Sequence, residues 1–146
     1  MRFFFFLSLS LILSGSCIKK KRLDIEYFPY TSSNIENLTQ ITFQEQEHDF
    51  GEVLSDTVLR VKYNFKNIGD DTLFILHILP DCNCTDYSIS DDTLLVGENG
   101  YIELTMNTNG KSGETNSQTR IEVNTKDRFY HLFMTANILK NNNFLK

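Results

Sequence analysis

Leu59-Arg60-Val61-Lys62-Tyr63-Asn64-Phe65-Lys66 decides the fold class of this chain. Leu59, Val61, Tyr63 and Phe65 alternate with Arg60, Lys62, Asn64 and Lys66, and a period of two puts the apolar set on one face of an extended strand. Asn67-Ile68-Gly69-Asp70-Asp71 follows as a turn of residues that tolerate positive φ. Thr72 to Leu79 is apolar almost throughout, which predicts a strand covered on both faces or lying at the centre of a sandwich. Pro80 ends it. Two strands joined by a short Gly-containing turn predict a β-hairpin.

The same period continues on either side. Upstream, Ile41 and Phe43 alternate with Thr42 and Gln44, and His48 to Val53 reads as a kinked continuation of that strand, Gly51 permitting a bulge. Asp49-Phe50-Gly51 matches a kinase metal-binding triplet, but nothing else of a kinase accompanies it. Downstream, Thr85 to Asp92 is polar and loop-like, and Thr93 to Val96 is a short strand closed by the turn Gly97-Glu98-Asn99-Gly100. Ile102, Leu104 and Met106 share one face. Thr119, Ile121 and Val123, then Tyr130, Leu132, Met134, Ala136 and Ile138, define the last two strands. No stretch carries a helical period. About seven short strands in roughly a hundred residues predict an all-β, immunoglobulin-like antiparallel β-sandwich, with a small barrel as runner-up.

A chain of 146 residues accommodates one such domain with extensions. From Leu23 onward 9 basic residues face 19 acidic ones, a net −10, whereas the whole chain carries −5. An acidic body excludes nucleic acid as the expected partner, because that surface needs positive charge.

The first residues read as targeting. Met1 and Arg2 precede an apolar run from Phe3 to Leu13, about half the roughly 20 residues a spanning helix needs. Leu13-Ser14-Gly15-Ser16-Cys17 closes it and resembles a bacterial lipoprotein signal, in which the cysteine is lipidated and becomes the N-terminus. Ser14 departs from the aliphatic residue usual three places before that cysteine. An ordinary signal peptide with an incidental cysteine is the alternative. Lys19-Lys20-Lys21-Arg22 would add attraction to anionic headgroups, about 1 kcal/mol per residue at the surface. The expected organisation is a signal peptide over 1–16, a lipidated tether and linker over 17–39, the sandwich over 40–139 and a frayed tail over 140–146.

With Cys17 in the leader, the body keeps Cys82 and Cys84. In an extended strand their Cα atoms would stand about 6.6 to 7 Å apart, at the upper edge of disulfide geometry, so a bond requires a turn, which Asn83 would accommodate. A loop this short contributes only roughly 1.5 kcal/mol of chain-entropy stabilisation. Three readings stay open besides two inert thiols: a local disulfide formed in an oxidising envelope, a thiol pair for exchange, and a soft-metal site that adds His77 as a third ligand. His48, His77 and His131 are dispersed, and no Gly-x-Ser-x-Gly, His-Glu-x-x-His or paired carboxylate setting occurs. Gly110-Lys111-Ser112 resembles the end of a phosphate loop, but with no preceding glycine and no following helix it reads as a β-turn.

Phe50-Gly51, Phe65-Lys66-Asn67-Ile68-Gly69, Leu73 and Ile75, Cys82-Asn83-Cys84-Thr85 and Gly97-Glu98-Asn99-Gly100 occur in an order that resembles the bacterial envelope family DUF1573, a domain of unknown function. The resemblance covers roughly residues 40 to 138. It implies an immunoglobulin-like sandwich related in shape to major-sperm-protein and pilus-chaperone domains, often lipid-anchored, without established catalysis. That family usually has Ser and Gly where Asp81 and Asn83 stand, and Pro in place of Val96.

The expected protein is a non-enzymatic envelope lipoprotein without cofactor, held to the membrane through Cys17 and binding a protein or glycan at a strand edge or loop end. In similar lipoproteins, acidic residues after the lipidated cysteine mark surface export; the basic run here implies the outer membrane with the domain facing the periplasm. The alternative is a thiol-dependent redox or metal-handling protein using Cys82 and Cys84.

Overall fold

The computed structural model describes residues 37–140. The signal peptide, Cys17, the basic run, most of the tether and residues 141–146 lie outside the described residues. Nine strands follow in order: β1 (Ile41–Phe43), β2 (Glu47–Leu54), β3 (Val58–Asn67), β4 (Leu73–Pro80), β5 (Thr85–Ile89), β6 (Thr93–Leu94), β7 (Asn99–Asn107), β8 (Gly113–Val123) and β9 (Phe129–Leu139). Among the described residues there is no helix. One sheet has the order β1-β3-β7-β5 and the other β2-β9-β8-β4-β6.

The decisive alternation of β3 is realised residue by residue. Leu59, Val61, Tyr63 and Phe65 are buried, and the intervening cations and Asn64 are exposed. Together with Ile102, Leu104 and Met106 of β7 they meet Ile121, Leu132, Met134 and Ile138 of the opposite sheet in one core. Burying each such aliphatic side chain contributes about 1.5–3 kcal/mol. Tyr63 spans the sandwich: its hydroxyl donates to the Phe133 carbonyl at 2.6 Å, and burial, assisted by Glu45, pushes its phenol above the usual tyrosine range.

Several expectations about connectivity are corrected. β3 and β4 lie in different sheets, so the segment between them crosses the sandwich and is not a hairpin turn. Within it only close approach requires glycine: a Cβ on Gly69 would stand 2.3 Å from Thr39 Oγ1 and 2.4 Å from Gln40 N. None of residues 67–71 has positive φ.

The apolar run of β4 does not mark a strand covered on both faces. A bulge between Ile75 and His77 leaves both Ile75 and Leu76 buried, while His77 and Leu79 remain exposed. The first strand also divides. β1 pairs antiparallel with β3, the chain changes sheets, and β2 runs parallel to β9 with a bulge between Asp49 and Glu52 where Gly51 takes φ +64°. Finally, Thr85–Ile89 is not loop but the edge strand β5, paired antiparallel with β7. Its inward set, Thr85, Tyr87 and Ile89, is an alternation diluted by Asp86 and Ser88. The Lys111 N–H donates to the Thr108 carbonyl at 3.0 Å, so the phosphate-loop lookalike is a turn.

Candidate functional site

The Cys82-Asn83-Cys84-Thr85 stretch carries the chain from the end of β4 in one sheet to the start of β5 in the other. The Thr85 N–H donates to the Cys82 carbonyl at 3.2 Å, closing a turn that brings the two cysteine Cα atoms to 5.2 Å, and the sulfurs are joined as a disulfide. The turn forms without a left-handed residue at Asn83. Cys84 is half-buried against the core, its carbonyl accepting from the Asn107 N–H at 3.0 Å; the Cys84 N–H is 3.2 Å from Cys82 Sγ.

Beneath the turn two buried hydroxyls meet. Thr85 Oγ1 and Ser117 Oγ are 2.8 Å apart, and Ser117 Oγ is 3.1 Å from Asp81 Oδ1. An ionised carboxylate only accepts, so Ser117 spends its single hydrogen on Asp81 and Thr85 must spend its own on Ser117. The lone pairs of Thr85 Oγ1 then face Cys82 Sγ at 3.6 Å and Cys84 Sγ at 3.9 Å. The orientation runs from sulfur to carboxylate. Ser117 and the role of Asp81 escaped the sequence reading, because Ser117 comes from β8, thirty-two positions beyond Thr85, and an inward serine leaves no local signature.

His77 is not part of this group. It points from the exposed face of β4, its Nδ1 3.0 Å from Glu122 Oε2, and Arg128 Nε donates to Glu122 Oε1 at 2.8 Å. Burial opposes ionisation of Glu122, but the bonds from Arg128 and His77 outweigh it and hold the carboxyl below its ordinary range. His131 is bonded to Gln118, and His48 lies 3.7 Å from Glu45. Among the described residues no three His, Cys, Asp or Glu side chains gather closely enough to hold a metal.

A second feature lies on the edge of the four-stranded sheet. β1 covers only Phe65 to Asn67 of the ten-residue β3, and the Gln44 N–H reaches the Asn64 carbonyl at 2.9 Å before the chain leaves for the other sheet. Both main-chain groups of Asn67 bond residues 97 and 98 on the β7 side. Alternation therefore turns the N–H and C=O of Lys62 and Arg60 outward, where among the described residues no strand lies beside them in the sheet order. Their side chains stand with Lys66 on the solvent face. Glu103 lies 3.7 Å from Arg60 and 3.9 Å from Lys62, and the Lys62 ammonium sits 4.3 Å over the Tyr101 ring. Arg60, Lys62 and Lys66 thus gather three cations on the face of Glu103 in an otherwise acidic body.

In fold, the chain is similar to a protein of unknown function from Porphyromonas gingivalis W83, with TM-score 0.62, 10% identity, and 75% of this chain and 50% of that one covered. It is also similar to the ASH/PapD-like domain of human CEP192 (PapD-like domain 7), with TM-score 0.53, 8% identity, and coverage of 82% and 98%. A third likeness is to the secreted serine protease VesC from Vibrio cholerae, with TM-score 0.53, 15% identity, and coverage of 68% and 23%. The chain thus spans half the length of the first protein and under a quarter of VesC. At such identities the likeness is one of fold alone. No curated protein matches in sequence. The profile of the family described as "Protein of unknown function (DUF1573)" matches residues 41–138. That match takes in the β3 strand, the Asn67 turn and the cysteine turn alike, and the chain belongs to the DUF1573 family.

Proposed function

We propose that this protein is a non-catalytic module of the bacterial cell envelope, lipid-anchored through Cys17 to the outer membrane and facing the periplasm, that binds an extended polypeptide segment by strand addition along β3. The observation that carries the reading is the uncovered edge from Val58 to Lys62, left when β1 breaks off at Phe43. An unpaired edge is a template for another strand, main-chain bonds giving affinity and alternate side chains specificity. The partner strand would lie beside Arg60 and Lys62, so acidic side chains at alternate positions complement it, with apolar residues between them turned toward the core side.

The probe is a ten-residue peptide alternating Val and Glu, compared with one alternating Val and Lys, on the full chain. The Glu peptide binds, and more weakly as salt rises. Lys62→Pro removes the outward N–H without touching the β7 ladder and abolishes binding, whereas Lys62→Ala weakens it only severalfold. Equal binding of both peptides, or full binding by Lys62→Pro, would exclude this edge. The anchor is tested separately: Cys17→Ser moves the protein from the membrane to the soluble fraction, and unchanged membrane association refutes lipidation there.

A further inference from the structure

We infer that the Cys82–Cys84 disulfide is a thiol–disulfide exchange site that takes electrons from a dithiol, and that Thr85 is the residue positioned to favour its reduced form. This is independent of the β3 edge and does not rest on it. The argument is a count of hydrogens. Ser117 donates to Asp81 and Thr85 to Ser117, so the hydroxyl facing the sulfurs has only lone pairs to offer. Thr85 is 5% exposed, and no other donor among the described residues meets it. Disulfide sulfurs carry no hydrogen, so in the oxidised state this buried acceptor faces partners that cannot answer it. A thiol does carry one. Reduction lets the Cys82 S–H complete a chain from sulfur through Thr85 and Ser117 to Asp81, and a buried acceptor gains a bond it lacked. A two-residue separation contributes little unfolded-state constraint, so stability gives this bond a weak reason to exist.

The step balances. A donor thiolate attacks Cys84 Sγ, the bond between the cysteine sulfurs breaks, and Cys82 leaves with the electron pair beneath the Cys84 N–H, which is placed to receive that charge. Cys82 then takes a proton from water. The second thiolate of the donor attacks the mixed disulfide at its own sulfur, closing the donor's disulfide and releasing Cys84, which is protonated in turn. Two electrons and two protons pass from the dithiol to the cysteine pair.

Equilibrating the full-length protein with reduced and oxidised dithiothreitol, then alkylating and weighing it, reads the exchange constant. Removing one hydrogen bond to a thiol shifts such an equilibrium about fivefold, so Thr85→Val moves it about fivefold toward the disulfide, while Thr85→Ser, which keeps the hydroxyl, restores the native value. With glutathione in place of the dithiol, peptide mapping finds the adduct on Cys84 and a free thiol at Cys82. A wild-type disulfide that excess dithiothreitol leaves intact in the folded protein overturns the proposal, as does a Thr85→Val constant equal to wild type or an adduct on Cys82. If Thr85→Val does not fold, the Thr85→Ser constant and the position of the adduct still decide it.

Discussion

Where Thr39 and β1 join the sandwich, two asparagines tie the loops together; at the opposite end, two hydroxyls and a cysteine turn occupy the equivalent space. Asn67 is fully buried, and all four of its amide positions are used. Its Nδ2 donates to the carbonyls of Asp71 at 2.8 Å and Leu94 at 3.1 Å, while its Oδ1 receives the Thr39 hydroxyl at 2.9 Å and the Gly69 N–H at 3.2 Å. Asn124 does the same for its neighbours, accepting from the Phe74 N–H at 2.7 Å and donating to the Thr72 and Asn37 carbonyls. Around the cysteine turn the accounts do not close in this way. Thr85 offers lone pairs to sulfurs without hydrogens, and Thr119, whose neighbour on β4 is Pro80, is buried with no partner for its hydroxyl among the described residues. A polar hub with every position used fixes structure; one with acceptor capacity to spare, as at Thr85, leaves room for a change of chemical state. Both lie on family-pattern residues, so membership in one pattern does not imply one role.

Three variants test that contrast. Asn67→Ala strands the Leu94 carbonyl and the Gly69 N–H, while the Asp71 carbonyl keeps the Thr39 hydroxyl, and should cost roughly 4 kcal/mol in urea unfolding, since each buried orphan costs about 1–3 kcal/mol; a loss below about 1 kcal/mol would mean the hub is ornamental. Replacing both cysteines by serine should cost no more than about 1.5 kcal/mol, the scale of so short a loop. A cost rivalling that of Asn67→Ala would reassign the cysteine turn to stability and erase the contrast. Thr119→Val should raise stability by about 1 kcal/mol, seen as a higher melting temperature, because it replaces a desolvated, unpaired hydroxyl with a methyl group. A destabilised variant would show that the hydroxyl has a partner.

The strands that the sequence exposed are those whose two faces differ. β3, β7 and β9 each set apolar residues against polar ones, and each lies with one face on the core. β5 was hidden because an edge strand with Asp86 and Ser88 outward has the composition of a loop. The apolar run of β4 shows no alternation for a different reason: at a bulge two consecutive residues, Ile75 and Leu76, are both buried, which a count of alternation cannot distinguish from burial on both faces. At the candidate site, Cys82, Cys84 and Thr85 are legible as a run and Asp81 only as a departure from the family pattern beside it, whereas Ser117 gives no sign.

What the sequence determined by itself is the all-β architecture, because side-chain period is a local property dictated by the geometry of an extended chain. Which strands share a sheet, where β1 breaks off, and which hydroxyl meets the cysteines were decided by tertiary structure alone. Those depend on main-chain partners far apart in the chain, and main-chain hydrogen bonds are nearly blind to residue type.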